Sequence, residues 1–427
     1  MNIHSLIFTV LCLLMTTPAI AQSQTGFEVI DSWEEYYHNR YFSQGAKTTD
    51  MKGTGYYPFL RNKHHYEMRA YADGSLPERW EIYQESQVQH LQKVGSIAAA
   101  NWQSLGPDGM EGLNGRINCI TFDPRDSSIL YAGAGSGGLW KSIDNGDSWF
   151  VVTDNIPSLI VTAVAVNPVN NQHILIGTGN TTGSSITLNP GVGILESKDG
   201  GKNWQSTSFK FNFASNVGIS QITWDKQDPA RVLMGSNRGF FVSTDSGYSW
   251  VNKRIGTISN FDFADAQPDT IYAGFLREGL YKSVDGGENW SYLQAGLPSL
   301  ANTHRVQVSM CDSFPNVVYT SIIDPSDFSL MGLYKSEDWG NSWNILPQTP
   351  DFVCQPTASA SCQGWYNNQV AVSPADPDLV FVGGVSFWRS DDGGNTWTWH
   401  DLVNGSINGQ SSLGLTYVDC WGIQFQP

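Results

Sequence analysis

The chain has 427 residues, room for one large β domain or two to three ordinary ones. Apolar residues make up 40% of it, charged residues 15% and aromatics 12%, and 43 residues are glycine, which suits a turn-rich folded chain and argues against disorder. The formal net charge of −16 repels phosphate backbones, so nucleic acid is not an expected partner.

In chain order, Leu6 to Met15 form an apolar run too short to span a bilayer. Pro18 and the small-residue pattern Ala19-Ile20-Ala21 follow. This order reads as a secretory signal (residues 1–21) cleaved after Ala21. No later run is long and apolar enough for a transmembrane segment, so the expectation is a secreted or cell-surface protein.

Residues 22–100 are more charged and carry no repeat, and they read as a small helical N-terminal cap segment. Ser32 and Glu35 have the spacing of a capping box. Pro58 marks a second helix start. Trp80, Tyr83, Val88, Leu91 and Val94 recur near helical period and predict a third helix. His64, His65 and Glu67 are read as solvated, since adjacent helical residues point about 100° apart.

From residue 101 onward the chain repeats itself. The pattern S-x-D-x-G-x-x-W occurs six times: "SIDNGDSW", "SKDGGKNW", "STDSGYSW", "SVDGGENW", "SEDWGNSW" and "SDDGGNTW", starting at Ser142, Ser197, Ser243, Ser283, Ser336 and Ser390. Three short apolar runs precede each box and the Trp opens a fourth. β-Branched and aromatic residues with turn punctuation are the strand signature. Four strands per unit of about 40 to 50 residues predict an all-β fold, a β-propeller of four-stranded blades.

These boxes resemble the Asp-box, or BNR, repeat of sialidases, of sortilin-type (VPS10-type) propellers and of secreted glycoside hydrolase propellers. In the resembled families the box lies away from the ligand face. Physical chemistry agrees: six equivalent hairpins cannot converge on one substrate. A calcium loop also needs more alternating oxygen donors than the box supplies. Asp144, Asp199, Asp245, Asp285, Asp338 and Asp392 are therefore read as structural, each accepting backbone N–H groups of its own turn. No metal or cofactor is expected.

"NWQSLGP" at Asn101 looks like a lone fourth strand, and "CWGIQFQP" at Cys420 like a lone first strand. The expectation is six full blades plus a partial seventh over residues 101–427, truncated in its last blade. A six-bladed ring with two short extensions is the alternative. Cys12 lies in the signal. Of the remaining cysteines, Cys354 and Cys362 flank "CQPTASASC" and either form a disulfide or stay isolated thiols like Cys119, Cys311 and Cys420.

Three long loops do not repeat and are the expected carriers of function: 179–193, 322–332 and 347–369. Trp365 and Tyr366 either stack on a sugar ring or pack at the channel edge. Arg116 and Arg305, at the start of first strands, either bind a carboxylate or pair with channel carboxylates such as Asp324.

A sialidase would carry an F-R-I-P stretch and an arginine triad; the chain has no such stretch, and its arginines are sparse. Around "AGAGSGGLWKS" the chain resembles xyloglucan-cleaving endoglucanase propellers. That family has an acidic residue in a T-D-x-G-G stretch, and here Gly135 stands in its place. Glycoside hydrolysis normally uses two carboxylates, and Asp324, Asp327 and Asp351 are the loop residues available. The resulting expectation is a propeller that binds a glycan or a peptide without catalysis, with an endoglucanase-like glycoside hydrolase as the alternative.

Overall fold

The structure is a computed structural model that describes residues 26–45, 47, 56–67, 116–154, 156–180, 191–211, 215–354 and 362–400. The chain divides into a helical unit and a β unit.

In the β unit, alternating turn residues and β-branched runs produce six antiparallel sheets of four strands, each in sequence order. They are the blades of a β-propeller. Their residues are 117–151, 161–210, 219–254, 258–292, 306–345 and 369–400. The inner strands of blades 1 to 6 are Ile117–Asp123, Val161–Val166, Ile219–Trp224, Ile258–Phe263, Val306–Met310 and Gln369–Val372. The fourth strands start one residue after each box Trp rather than at it, as at Val251 and Ser291. Any seventh-blade strands at 101–107 and 420–427 lie outside the described residues, as do the signal segment and the third helix.

The core lies between blades. Leu175 and Ile194 of blade 2 pack with Ile222, Trp224 and Met234 of blade 3. Phe240, Phe261 and Ile271 join blades 3 and 4. Tyr272, Val308 and Trp343 join blades 4 and 5, and Tyr319, Leu333, Val370 and Val382 join blades 5 and 6. Full burial of each large side chain contributes roughly 1.5–3 kcal/mol. The second strand of each early blade comes very close to the next inner strand. A Cβ at Gly177 would lie 2.6 Å from Ile219 Cβ, and one at Gly274 would lie 2.3 Å from the Val306 carbonyl oxygen. Only glycine fits there.

Polar side chains on the inner strands clasp the next blade. Gln221 accepts the Phe261 N–H at 3.1 Å and donates to the Phe261 carbonyl at 2.9 Å. Asn260 does the same to Val308, at 3.0 and 2.7 Å. Asp262 accepts the Met310 N–H at 2.8 Å, and Ser309 accepts the Val372 N–H at 3.1 Å. Buried donors and acceptors that strand pairing leaves open are thereby satisfied.

Each box is the turn between third and fourth strands. In "SVDGGENW", Ser283 Oγ donates to Asp285 Oδ1 at 2.8 Å and accepts the Gly287 N–H at 2.9 Å. Asp285 Oδ1 accepts the Asn289 N–H at 2.8 Å, and Oδ2 accepts the Asn289 side-chain amide at 2.7 Å. Trp290 donates its indole N–H to the Gly287 carbonyl at 2.8 Å. The Asn289 backbone and side-chain bonds, then Ser283, hold the Asp285 carboxyl down at about 2. Gly287 sits at φ +97°, and a Cβ there would lie 2.9 Å from Phe240 of the preceding blade. The residue before the Trp is thus part of the motif. It is Ser148, Asn203, Ser249, Asn289, Ser342 or Thr396, and its side chain bonds the box carboxylate in all six copies.

The helical unit contains α1 (Gly26–Arg40) and α2 (Tyr56–Glu67). Ser32 and Glu35 lie inside α1, so they do not cap it: the capping-box spacing also fits a helix interior, and the helix already runs from Gly26. Pro58 stands in the first turn of α2, where its missing N–H is harmless. Tyr37 is buried against Tyr56 and Phe59, with ring centroids 5.2 and 5.3 Å away. His64 is exposed. Among the described residues no helix is long and apolar enough to cross a membrane.

Candidate functional site

Antiparallel blades place their turns at two edges. The boxes occupy one. The turns between second and third strands, and the connections between blades, share the other. The non-repeating residues meet at this second edge, around the channel mouth.

The connection from blade 5 to blade 6 is pinned at its base. Cys354 and Cys362 are joined by a disulfide and also form an isolated antiparallel bridge. Asp351 lies within 4.8 Å of both sulfurs, but bonded sulfurs cannot ligate a metal. Cys311 is a buried free thiol and Cys119 a half-buried one. Cys420 lies outside the described residues.

Past the disulfide, Trp365 and Tyr366 stand as a tilted aromatic pair, centroids 5.1 Å apart, both half-buried. Two arginines reach them. Arg116 Nη1 donates to the Tyr366 hydroxyl at 2.6 Å, with its guanidinium 5.5 Å from the ring centroid. Arg305 Nη1 donates to the carbonyls of Trp365 and Tyr366 at 3.4 and 3.3 Å. Arg305 is only 5% exposed, and burial lowers its basicity to about 10.

Asp324 makes no ion pair with either arginine. Its Oδ1 accepts the N–H and hydroxyl of Ser326 at 2.7 and 2.5 Å, closing its own turn. Beside it, His304 packs edge-on to Phe328 at 5.0 Å. Burial, then the charges of Arg277 and Arg305, push His304 down to about 4, so it is neutral at pH 7.

Two other carboxylates of this edge are drawn apart in acidity. The Ser329 N–H, at 2.9 Å from Oδ1, and the Ser329 hydroxyl hold Asp327 below the ordinary carboxylate range. Desolvation of the Asp351 carboxyl pushes it up against the N–H bond from Val353, and the charge of Asp327 adds to the rise. The two carboxyls are thus shifted in opposite directions.

Gly135 lies in the second turn of blade 1. Its N–H donates to the Arg116 carbonyl at 2.8 Å, and a Cβ there would lie 3.0 Å from Arg116 Nε. A guanidinium therefore covers the spot where a T-D-x-G-G carboxylate would project. Most of the loop at 179–193 lies outside the described residues.

No protein-family profile matches the chain. A xyloglucanase of Paenibacillus sp is 26% identical over 332 residues, covering 66% of this chain and 31% of that protein. A xyloglucanase of Acetivibrio thermocellus is 24% identical over 336 residues, 67% of this chain and 38% of that protein. The chain thus spans about a third of the length of these relatives. The solved GH74 xyloglucanase of Xanthomonas campestris superposes with a TM-score of 0.53 at 20% identity, over 71% of this chain and 47% of that one. The GH74 enzyme of Niastella koreensis gives 0.51 at 21%, over 67% and 45%. The fold is accordingly a β-propeller related to that of GH74 xyloglucanases. These relatives overturn the expectation of a propeller that binds without catalysis and favour the glycoside hydrolase alternative.

Proposed function

We propose that this chain is a glycoside hydrolase propeller that cleaves a β-glucan of the xyloglucan class. The observation that carries the reading is that two thirds of the chain aligns with xyloglucanases. In this reading Asp351 is the general acid. Desolvation weakens its acidity, and it delivers its proton to the glycosidic oxygen as the bond breaks. Asp327, held ionised by Ser329, is the second carboxylate, which activates water or attacks the sugar carbon. Trp365 offers a face for a sugar ring. Arg116 takes the place of the carboxylate the relatives carry near Gly135, so the reaction has moved to the blade 5 to 6 connection. The repeat keeps its sortilin-type likeness as architecture only. Export through residues 1–21 suits a polysaccharide substrate.

The test is reducing-end release from xyloglucan by the full chain. Asp351→Asn and Asp327→Asn should each lower kcat at least about 100-fold, the usual worth of a positioned acid or base. Asp324→Asn should leave kcat unchanged, because Asp324 serves its own turn. Turnover that survives the double Asp327/Asp351 variant would refute the assignment, and a wild type inert on every β-glucan would refute the function.

A further inference from the structure

We propose that the channel mouth recognises a carboxylate-bearing sugar, a uronate unit on the polysaccharide, with Arg305 as its anchor. This rests on the reading of the ligand as a polysaccharide and adds its charge class.

Arg305 is buried in a chain whose net charge is −16, yet it forms no ion pair among the described residues. A buried guanidinium is costly and is ordinarily paired with a carboxylate. Its Nη1 is spent on the carbonyls of Trp365 and Tyr366. Its Nε has no partner. The edge formed by Nε and Nη2 is the one that grips a carboxylate with two parallel bonds, and here its Nε is unpaired.

Among the described residues no carboxylate hydrogen-bonds or ion-pairs with Arg305. Arg116 brings a second guanidinium to the same tyrosine. The immediate neighbour His304 is held neutral by burial and by Arg277 and Arg305. Asp324, the channel carboxylate expected to pair with it, is committed to Ser326. A neutral glucan leaves the Arg305 Nε without a charged partner, while a uronate matches it: the carboxylate meets Arg305 and the sugar face meets Trp365. Nε is covered, so a carboxylate reaches it only after the side chains around it shift.

Calorimetric titration of the full chain tests this with three probes. They are a glucuronate-bearing gluco-oligosaccharide, the same oligosaccharide with its carboxyl reduced to the alcohol, and a short peptide with a free C-terminal carboxylate. The acidic sugar should bind at least about tenfold tighter than the reduced one, a difference of roughly 1.4 kcal/mol. Raising salt should shrink that ratio. Arg305→Lys should lose most of it, and Arg116→Gln, at a half-buried position, should lose part of it while keeping the fold. Equal affinity for the acidic and reduced sugars overturns the proposal, as does a peptide that binds as well as the acidic sugar. If Arg305→Lys melts, an acid-to-reduced ratio unchanged by Arg116→Gln overturns it too. A wild type that binds the uronate without cleaving any glucan overturns the hydrolase reading alone. One that cleaves neutral xyloglucan without preferring the acidic sugar overturns this one alone.

Discussion

Replacing Ser283 by alanine isolates what one box contributes. The Ser283 hydroxyl is buried, accepts the Gly287 N–H at 2.9 Å and the Asp285 N–H at 3.3 Å, and donates to the Asp285 carboxylate at 2.8 Å. Alanine fits the space but leaves the buried Gly287 N–H without an acceptor. An orphaned buried donor costs about 1–3 kcal/mol. Gly287 also packs on Phe240 of the preceding blade, so the turn cannot swing out to find water. We expect a loss near 2 kcal/mol. With a urea m-value of about 3 kcal/mol/M, the midpoint should fall by roughly 0.7 M. Ser291→Ala, at an exposed position, is the control and should stay within about 0.5 kcal/mol. Glucan turnover at a temperature where both variants are folded should not change. A Ser283→Ala midpoint indistinguishable from the Ser291→Ala control would refute the reasoning, and so would a change in kcat.

The buried His304 and the half-buried Asp262 give the stability a pH dependence of opposite signs. His304, held at about 4, is protonated more readily when unfolded, so its contribution is complete above about 6.5 and is lost as pH falls toward 4. Asp262 is raised to about 7, first by burial and then by the charge of Asp312, so its contribution is complete below about 4 and is lost as pH rises through 7. Each is worth up to about 3–4 kcal/mol, and the two slopes nearly cancel between pH 4.5 and 6.5. His304→Gln should therefore leave stability falling with rising pH, and Asp262→Asn should leave it rising; flat denaturation profiles in both variants would contradict these assignments. Converting both Cys354 and Cys362 to serine opens a short loop and should lower stability by at most about 2.5 kcal/mol. Urea melts with and without reductant should show the same loss in the wild type, and a wild type insensitive to reductant would count against it.

The architecture was legible because the box recurs in register, which no single motif match could have shown. Even so, the residue before each Trp carried a signal that the eight-residue pattern left as x: it is Ser, Asn or Thr in every copy, and a carboxylate with two oxygens needs that second partner. The site was less legible. Arg305 and Tyr366 are 61 residues apart, and Asp327 and Asp351 belong to different loops. No spacing rule links such pairs, because the propeller, not local sequence, brings them to one edge. Ser32 shows the converse. Its spacing to Glu35 matches a cap, but α1 runs through both, since three-residue spacing is also a turn of helix.

The inner-strand clasps have a directional consequence. In each pair the side chain belongs to the earlier blade, and the later blade supplies only main chain. Gln221, Asn260, Asp262 and Ser309 therefore read no side chain on their partners. A newly synthesised blade meets a neighbour whose amide and carboxylate groups already wait for a backbone, whatever sequence that backbone carries. The order of assembly then follows the order of translation, with each finished blade serving as the template on which the next is laid.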